Sequence, residues 1–240
     1  MNAPSAKSLF RATKAKPKRG AVLPMAMPVQ KRPEIRRDAD FYPTGEPEAI
    51  RGLLAHDGAV IRSLGMVWEP AVGRGDLACE VEAFGVPVRG GDIEDRGWPL
   101  TCIGSFYDTE RAAAPAIITN PPYCEINARD GHGRWLRHTL EIPGWDYAAF
   151  LLSWDWPAAR ANGLGALLEA NPFSYAYLMR WKLDFTGEGS PPQRNAWFVW
   201  RRGWAEAPMQ IRFMNREDGE GITGPRQDAM DFTLPPQPRE

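Results

Sequence analysis

The stretch Ile117-Ile118-Thr119-Asn120-Pro121-Pro122-Tyr123 concentrates more potential chemistry than any other in the 240-residue chain. Its β-branched run predicts a buried strand. Two consecutive prolines then fix φ and make a rigid loop just past the strand end. The Asn120 side-chain oxygen can accept a hydrogen bond, and the Pro121 carbonyl is a second acceptor. Two acceptors converging on one amino group would draw both of its hydrogens out of plane. That weakens conjugation of the nitrogen lone pair with an attached ring and leaves a planar, poorly nucleophilic amine able to attack. Tyr123 can stack on the ring that bears the amine. A plain rigid turn is the competing reading of the same four residues.

A second set of residues lies upstream. The stretch Trp68-Glu69-Pro70-Ala71-Val72-Gly73-Arg74-Gly75-Asp76 follows an apolar run and opens a helical pattern. Gly73 and Gly75 permit a tight turn and a close backbone approach, and a helix starting near Asp76 would aim free N–H groups at a ligand. Asp92 follows Glu69 by 23 positions, at the end of the next predicted strand. That is the place where an acid holds a ribose diol in sheets of this kind. The loop carries one Arg and two acids, Glu69 and Asp76, with no Gly-Lys-Ser/Thr sequence. It suits a ligand with an amino group and a positive charge better than a triphosphate.

These residues need a sheet to bring them together. Apolar runs at 65–70, 86–92, 116–119 and 147–153 read as strands. They alternate with helical patterns at 49–55, 75–85, 132–142 and 163–171, with Thr44 as a start signal for the first helix and Gly85 as the stop of the second. Alternation of this kind predicts an α/β fold with a doubly wound, mostly parallel sheet. Two later candidates, 195–203 and 209–214, lie close enough in sequence to form an antiparallel hairpin at one edge. Trp197 and Trp200 fall on opposite faces of the first of these. Most of the ten tryptophans are expected in the core, with Trp154 and Trp156 nearer the site.

Charge divides the chain. Residues 1–37 hold ten Lys/Arg against one acid, a net +9, which leaves −10 on the remainder for the chain's −1. A basic arm on an acidic body suggests a polyanionic partner. We therefore divide the chain into a basic, disordered arm (1–38), a folded body (39–214) and a flexible Gly/Pro-rich tail (215–240). No apolar run approaches the ~20 residues of a membrane span, so a cytoplasmic protein without a membrane partner is expected. Cys79, Cys102 and Cys124 are scattered and read as small buried apolar residues. His56, His132 and His138 have no metal-ligand spacing, and no metal is expected.

Taken in order, Glu69-Pro70-Ala71-Val72-Gly73-Arg74-Gly75 followed by Asn120-Pro121-Pro122-Tyr123 resembles the S-adenosylmethionine-dependent N6-adenine DNA methyltransferases. Asp40-Phe41-Tyr42-Pro43-Thr44 resembles an N-terminal segment of their phage and prophage members, and the Trp-rich stretch 195–203 resembles a strand common in them. The resemblance spans about residues 40–214 and implies a Rossmann-like class I methyltransferase fold. It implies that Tyr42 and Thr44 lie near the methionine end of S-adenosylmethionine. Glu69, Ala71, Gly73 and Gly75 would form the main cofactor loop, and Asp92 would hold the ribose. Asn120, Pro121, Pro122 and Tyr123 would hold an adenine flipped from DNA. One departure stands out. Where the family often has Asp-Phe before the Asn-Pro-Pro-Tyr strand, this chain has Ser105-Phe106, with Asp108 displaced. Residues 157–194 read as one short insertion, too small for a target-recognition domain. Arg160, Arg180, Lys182 and Arg194 fall in it and read more simply as solvated surface than as phosphate contacts. RNA or protein-amide methylation on the same fold stays open, as does a nonenzymatic DNA-binding protein on a decayed fold.

Overall fold

The computed structural model describes residues 44–126, 133–158, 164–185, 189 and 193–222. Tyr42, Arg160, His132, the basic arm and the end of the tail lie outside the described residues. Among the described residues, eight strands form one sheet in the order β3-β2-β1-β4-β5-β7-β6-β8. They are β1 (Val67–Glu69), β2 (Val88–Asp92), β3 (Cys102–Ile103), β4 (Ala116–Thr119), β5 (Tyr147–Ser153), β6 (Tyr175–Met179), β7 (Asn195–Arg201) and β8 (Gln210–Met214). Only β7 runs against the others, antiparallel to both β5 and β6. The α/β, mostly parallel, doubly wound architecture is as the alternating pattern predicts.

The antiparallel element sits elsewhere than expected. Residues 195–201 and 210–214 are not neighbours; β6 lies between them and pairs in parallel with β8. Stretch 157–194 is thus no insertion. It supplies helix Leu164–Ala170 and the strand β6, both integral to the fold.

The central strands bury both faces, so their residues divide by parity. Along β5, Tyr147, Ala149 and Leu151 join one core, whereas Ala148, Phe150 and Leu152 join the other. Trp197 and Trp200 separate in the same way along β7, as their spacing predicts. Of the tryptophans, Trp68, Trp135, Trp145, Trp156, Trp197 and Trp200 are buried.

Helix α1 (Glu48–Leu64) is far longer than 49–55. Ile50, Leu53, Leu54 and Ile61 line its buried stripe, and Gly65 ends it at φ 80°. Asp57 interrupts the stripe and Gly58 follows, which reads in sequence as a stop. In the fold Phe84 fills the space over Gly58, and Met214 Sδ lies 2.6 Å from where a Gly52 Cβ would stand. Thr44 does not start α1: Pro47 precedes it, with no side-chain cap. Helix α2 (Asp76–Ala83) ends before Gly85, which sits at φ 91°. A short α3 (Tyr123–Ile126) follows β4, then α4 (Arg134–Glu141) and α5 (Leu164–Ala170).

Two further expectations need correction. Residues 215–222 do not begin a flexible tail. Arg216–Gly219 forms a 3-10 turn closed by a reciprocal Asn215–Asp218 capping box, and His56 on α1 bonds Asp218 at 2.9 Å. Cys79 and Cys102 are exposed and Cys124 is half-buried, so none of the three is a core residue. Each lies on an element whose buried face is already filled by larger side chains or, for β3, at the sheet edge. No helix among the described residues is long and apolar enough to cross a membrane.

Candidate active site

Strand order reverses between β1 and β4, which lie side by side and parallel. Chains leaving their C-terminal ends must diverge there and open a crevice. The register pairs Trp68 with Ile117, so the loop after Glu69 and the loop after Thr119 emerge next to one another. The two sets of residues singled out from the sequence meet at this switch point.

On the β1 side, Glu69 ends the strand with only 3 % exposure. Gly73 and Gly75 adopt φ 56° and φ 85°, left-handed values that an L side chain resists. A Cβ at Gly75 would also run into the Trp98 ring. Asp92 ends β2 and ties the loop down: its Oδ2 accepts from the Gly73 N–H at 2.8 Å, and its Oδ1 from the Glu94 N–H at 3.2 Å. The expected acid at the second strand end is therefore already in contact with the glycine turn. Ala71 is half-buried and packs against the neighbouring core.

Electrostatics at this end are unusual. Burial pushes the Glu69 carboxyl well above the ordinary glutamate value, and the nearby Asp76 and Asp92 push it further; a hydrogen bond from the Ala78 backbone opposes them. Three carboxyl groups at one helix start would welcome a cationic group and repel a phosphate. Beyond Asp92 lie two exposed isoleucines, Ile93 at 63 % and Ile103 at 62 %. Asp92 and Ile103 are register partners, so an apolar slab stands beside the carboxylate. Ile93, Ile103 and Trp98 escaped the sequence reading; an isoleucine straight after a strand-end acid was the available signal.

Ser105 and Phe106 have local roles. The Ser105 Oγ accepts from the Tyr107 N–H at 3.2 Å and caps the 3-10 turn Phe106–Asp108. The Phe106 ring is buried and stacks on Trp135 with centroids 4.2 Å apart. That leaves the backbone of 104–106, rather than the ring, at the end of β3.

On the β4 side, Asn120 leaves the strand end and its Nδ2 donates to the Thr44 hydroxyl at 2.9 Å. Pro121 is buried and Pro122 half-buried. The Pro122 carbonyl accepts from the Glu125 N–H at 2.9 Å, starting α3 with Tyr123 at its head. The Tyr123 hydroxyl accepts from Asn195 Nδ2 at 3.3 Å, and its ring meets Phe185 edge-on with centroids 6.4 Å apart. Asn195 is fully buried at the start of β7, and Phe185 lies in the β6–β7 connection. Neither was singled out from sequence. A polar residue opening an otherwise apolar strand was the signal for Asn195, while Phe185 fell in the presumed insertion. Trp156, considered near the site, is a core residue: it donates to the Ile126 carbonyl at 3.1 Å and packs on Phe198.

The structure thus gathers Glu69, Gly73, Gly75 and Asp92 on one side, and Thr44, Asn120 and Tyr123 on the other. What the first set can hold is a ligand with a cationic group, a diol and a flat apolar ring. What the second can hold is a planar amine.

No family model and no curated protein matches this chain. Among solved structures it is similar to a candidate class I S-adenosylmethionine-dependent methyltransferase from Listeria monocytogenes (12 % identity, TM-score 0.47, covering 71 % of this chain and 65 % of that one). It is also similar to the modification subunit of a candidate type I restriction enzyme from Vibrio vulnificus YJ016 (13 %, TM-score 0.47, 74 % and 47 %). A candidate RNA methyltransferase from Pyrococcus horikoshii is a third (11 %, TM-score 0.45, 63 % and 80 %). The chain spans less than two thirds of the length of the first two.

Proposed function

We propose that this protein transfers a methyl group from S-adenosylmethionine to the exocyclic N6 amine of adenine in DNA. The observation that carries this reading is the placement of Asn120-Pro121-Pro122-Tyr123 at the switch point, beside the glycine loop and its buried Glu69.

The residues fit the cofactor. Glu69, crowded by Asp76 and Asp92, suits the cation; Asp92 suits the ribose hydroxyls; Ile93 and Ile103 suit the flat face of the purine. S-Adenosylmethionine, when bound, supplies an electrophilic methyl on a sulfonium. Asn120 Oδ1 and the Pro121 carbonyl accept the two hydrogens of the target amine and turn its lone pair out of the ring. Tyr123 stacks on the flipped base, its hydroxyl held by Asn195. Held beside Glu69 and Asp92, the donor would supply the methyl with its sulfur as leaving group, and the amine would shed one proton to solvent. Positioning supplies most of the rate, and no carboxylate base is required.

The net +9 of residues 1–37 favours nucleic acid over protein as the bearer of the amine. The test is mass spectrometry of host DNA after expression, scored for N6-methyladenine and its context. Methylated adenine in DNA, absent with Asn120→Ala, supports the reading. Methylation confined to RNA or to glutamine amides overturns the DNA assignment. A protein that binds no cofactor at millimolar concentration is not a methyltransferase. Tyr123→Ala should weaken turnover by roughly 1–3 kcal/mol of lost stacking.

A further inference from the structure

We infer that Thr44 is a positioning residue for Asn120 rather than a ligand of the cofactor's methionine end. The inference rests on the reading of Asn120 just given. An asparagine amide has two unlike ends: Nδ2 donates and Oδ1 accepts. Only Oδ1 can take a hydrogen from a target amine. Rotated by half a turn, the amide would set its own N–H groups against those of the substrate. Productive chemistry therefore needs something that keeps Nδ2 turned away.

Thr44 does this. Its hydroxyl lies 2.9 Å from Asn120 Nδ2, with only 6 % of the residue exposed. The two residues are 76 positions apart, so the contact depends on how the segment before α1 is held. That segment is tied on its far side. One Glu46 carboxylate oxygen accepts from the Asp184 N–H at 2.7 Å, and the other pairs with Arg216. The Glu46 carbonyl accepts from the Ala49 N–H at 3.2 Å, and the Ala49 carbonyl takes the buried Trp197 indole N–H at 2.8 Å. Residues 44–49 thus form a strap from the end of β4 to the Asp184–Phe185 turn, whose Phe185 borders Tyr123. The strap presents the Thr44 oxygen to Asn120 from a fixed frame. With Nδ2 engaged there, Oδ1 faces the other way.

The test uses the full chain with Thr44→Val, which keeps the shape and deletes the hydroxyl, and Thr44→Ser, which keeps the hydroxyl. Three quantities are read: S-adenosylmethionine affinity by calorimetry, kcat and KM on an adenine-containing duplex, and the Asn120 side-chain amide resonances, assigned by their loss in Asn120→Asp. Thr44→Val should leave cofactor affinity within about twofold and lower kcat roughly 10- to 30-fold, the range for one lost positioning hydrogen bond. It should shift the Asn120 amide resonances. Thr44→Ser should restore both, and Thr44→Val should add no further loss to Asn120→Ala. A tenfold loss of cofactor affinity at unchanged kcat would make Thr44 a cofactor ligand and overturn the inference. So would unchanged kinetics in Thr44→Val beside an active wild type. A wild type that transfers no methyl would defeat the proposed function instead, and the resonances would still decide whether Thr44 holds Asn120: shifted resonances uphold that contact, and unshifted ones refute it.

Discussion

Asp57 and Glu69 are two acids buried to nearly the same depth, at 5 % and 3 % exposure, yet their surroundings are opposites. Asp57 lies on the buried face of α1 and receives three hydroxyls, from Tyr147 at 2.9 Å, Tyr175 at 3.0 Å and Tyr177 at 2.8 Å. Burial and the Asp57 charge push these tyrosines up, so they remain protonated donors. Arg212 adds a hydrogen bond to Tyr177 from the edge strand. Glu69 has a backbone hydrogen bond from Ala78 and two further acids nearby, and its carboxyl is pushed toward the neutral form. The contrast separates a closed polar cluster that holds the fold from a strained one that awaits a cation.

The largest effect should come from breaking the closed cluster. Asp57→Ala strands three tyrosine hydroxyls in the core and should lower unfolding free energy by about 3–5 kcal/mol. Chemical denaturation measures it, and a loss below about 1 kcal/mol would deny the cluster its structural role. Glu69→Gln should act with the opposite sign on stability. Removing a disfavoured buried charge should raise the stability of the unligated protein at neutral pH by about 1 kcal/mol. The same change should weaken S-adenosylmethionine binding roughly 10- to 100-fold, as expected for a lost charge partner in a buried site.

Acidity sharpens the comparison further. The folded Glu69 value lies above the unfolded one, so the folded state keeps its proton longer as pH rises. Unligated stability should therefore fall as pH climbs from near the ordinary value of 4.5 through the raised one. Affinity for a cationic cofactor should rise across the same interval, as the carboxylate forms. Melting and calorimetric titrations of wild type and Glu69→Gln check this: the variant should lose both slopes. The smallest effect concerns Asn195, which falls between the two acids. It is fully buried, gives Nδ2 to Tyr123, and has no partner for Oδ1 among the described residues. Tyr123→Phe removes the hydroxyl and keeps the ring. It should raise KM for DNA only about two- to fivefold, the worth of one weak hydrogen bond.

The comparison also marks what a sequence can disclose. Strands β1, β2, β4, β5, β7 and β8 are visible as apolar runs, and β4 and β5 match to the residue. The glycine turn, Asp92 and Asn120-Pro121-Pro122-Tyr123 are visible because their residue types are rare in that arrangement. The second half of α1 is not, because Asp57 looks like a break until tyrosines 90 to 120 positions away satisfy it. Strand β6 was legible as an alternating aromatic run but was absorbed into a presumed insertion, and the antiparallel pair was misplaced as a result. The contacts of Thr44 with Asn120 and of Asn195 with Tyr123 join residues 76 and 72 positions apart, and only the assembled sheet reveals them.

In the proposed function Asn120 activates an adenine amine beside a bound methyl donor. The direct measurement is transfer of labelled methyl from S-adenosylmethionine to an adenine-containing duplex, by wild type and by Asn120→Ala. Label at N6 is expected with wild type, with a loss of at least about 100-fold in the variant, as when a principal polar group at the reacting atom is removed. Equal transfer by both proteins, or background label from both, would contradict it.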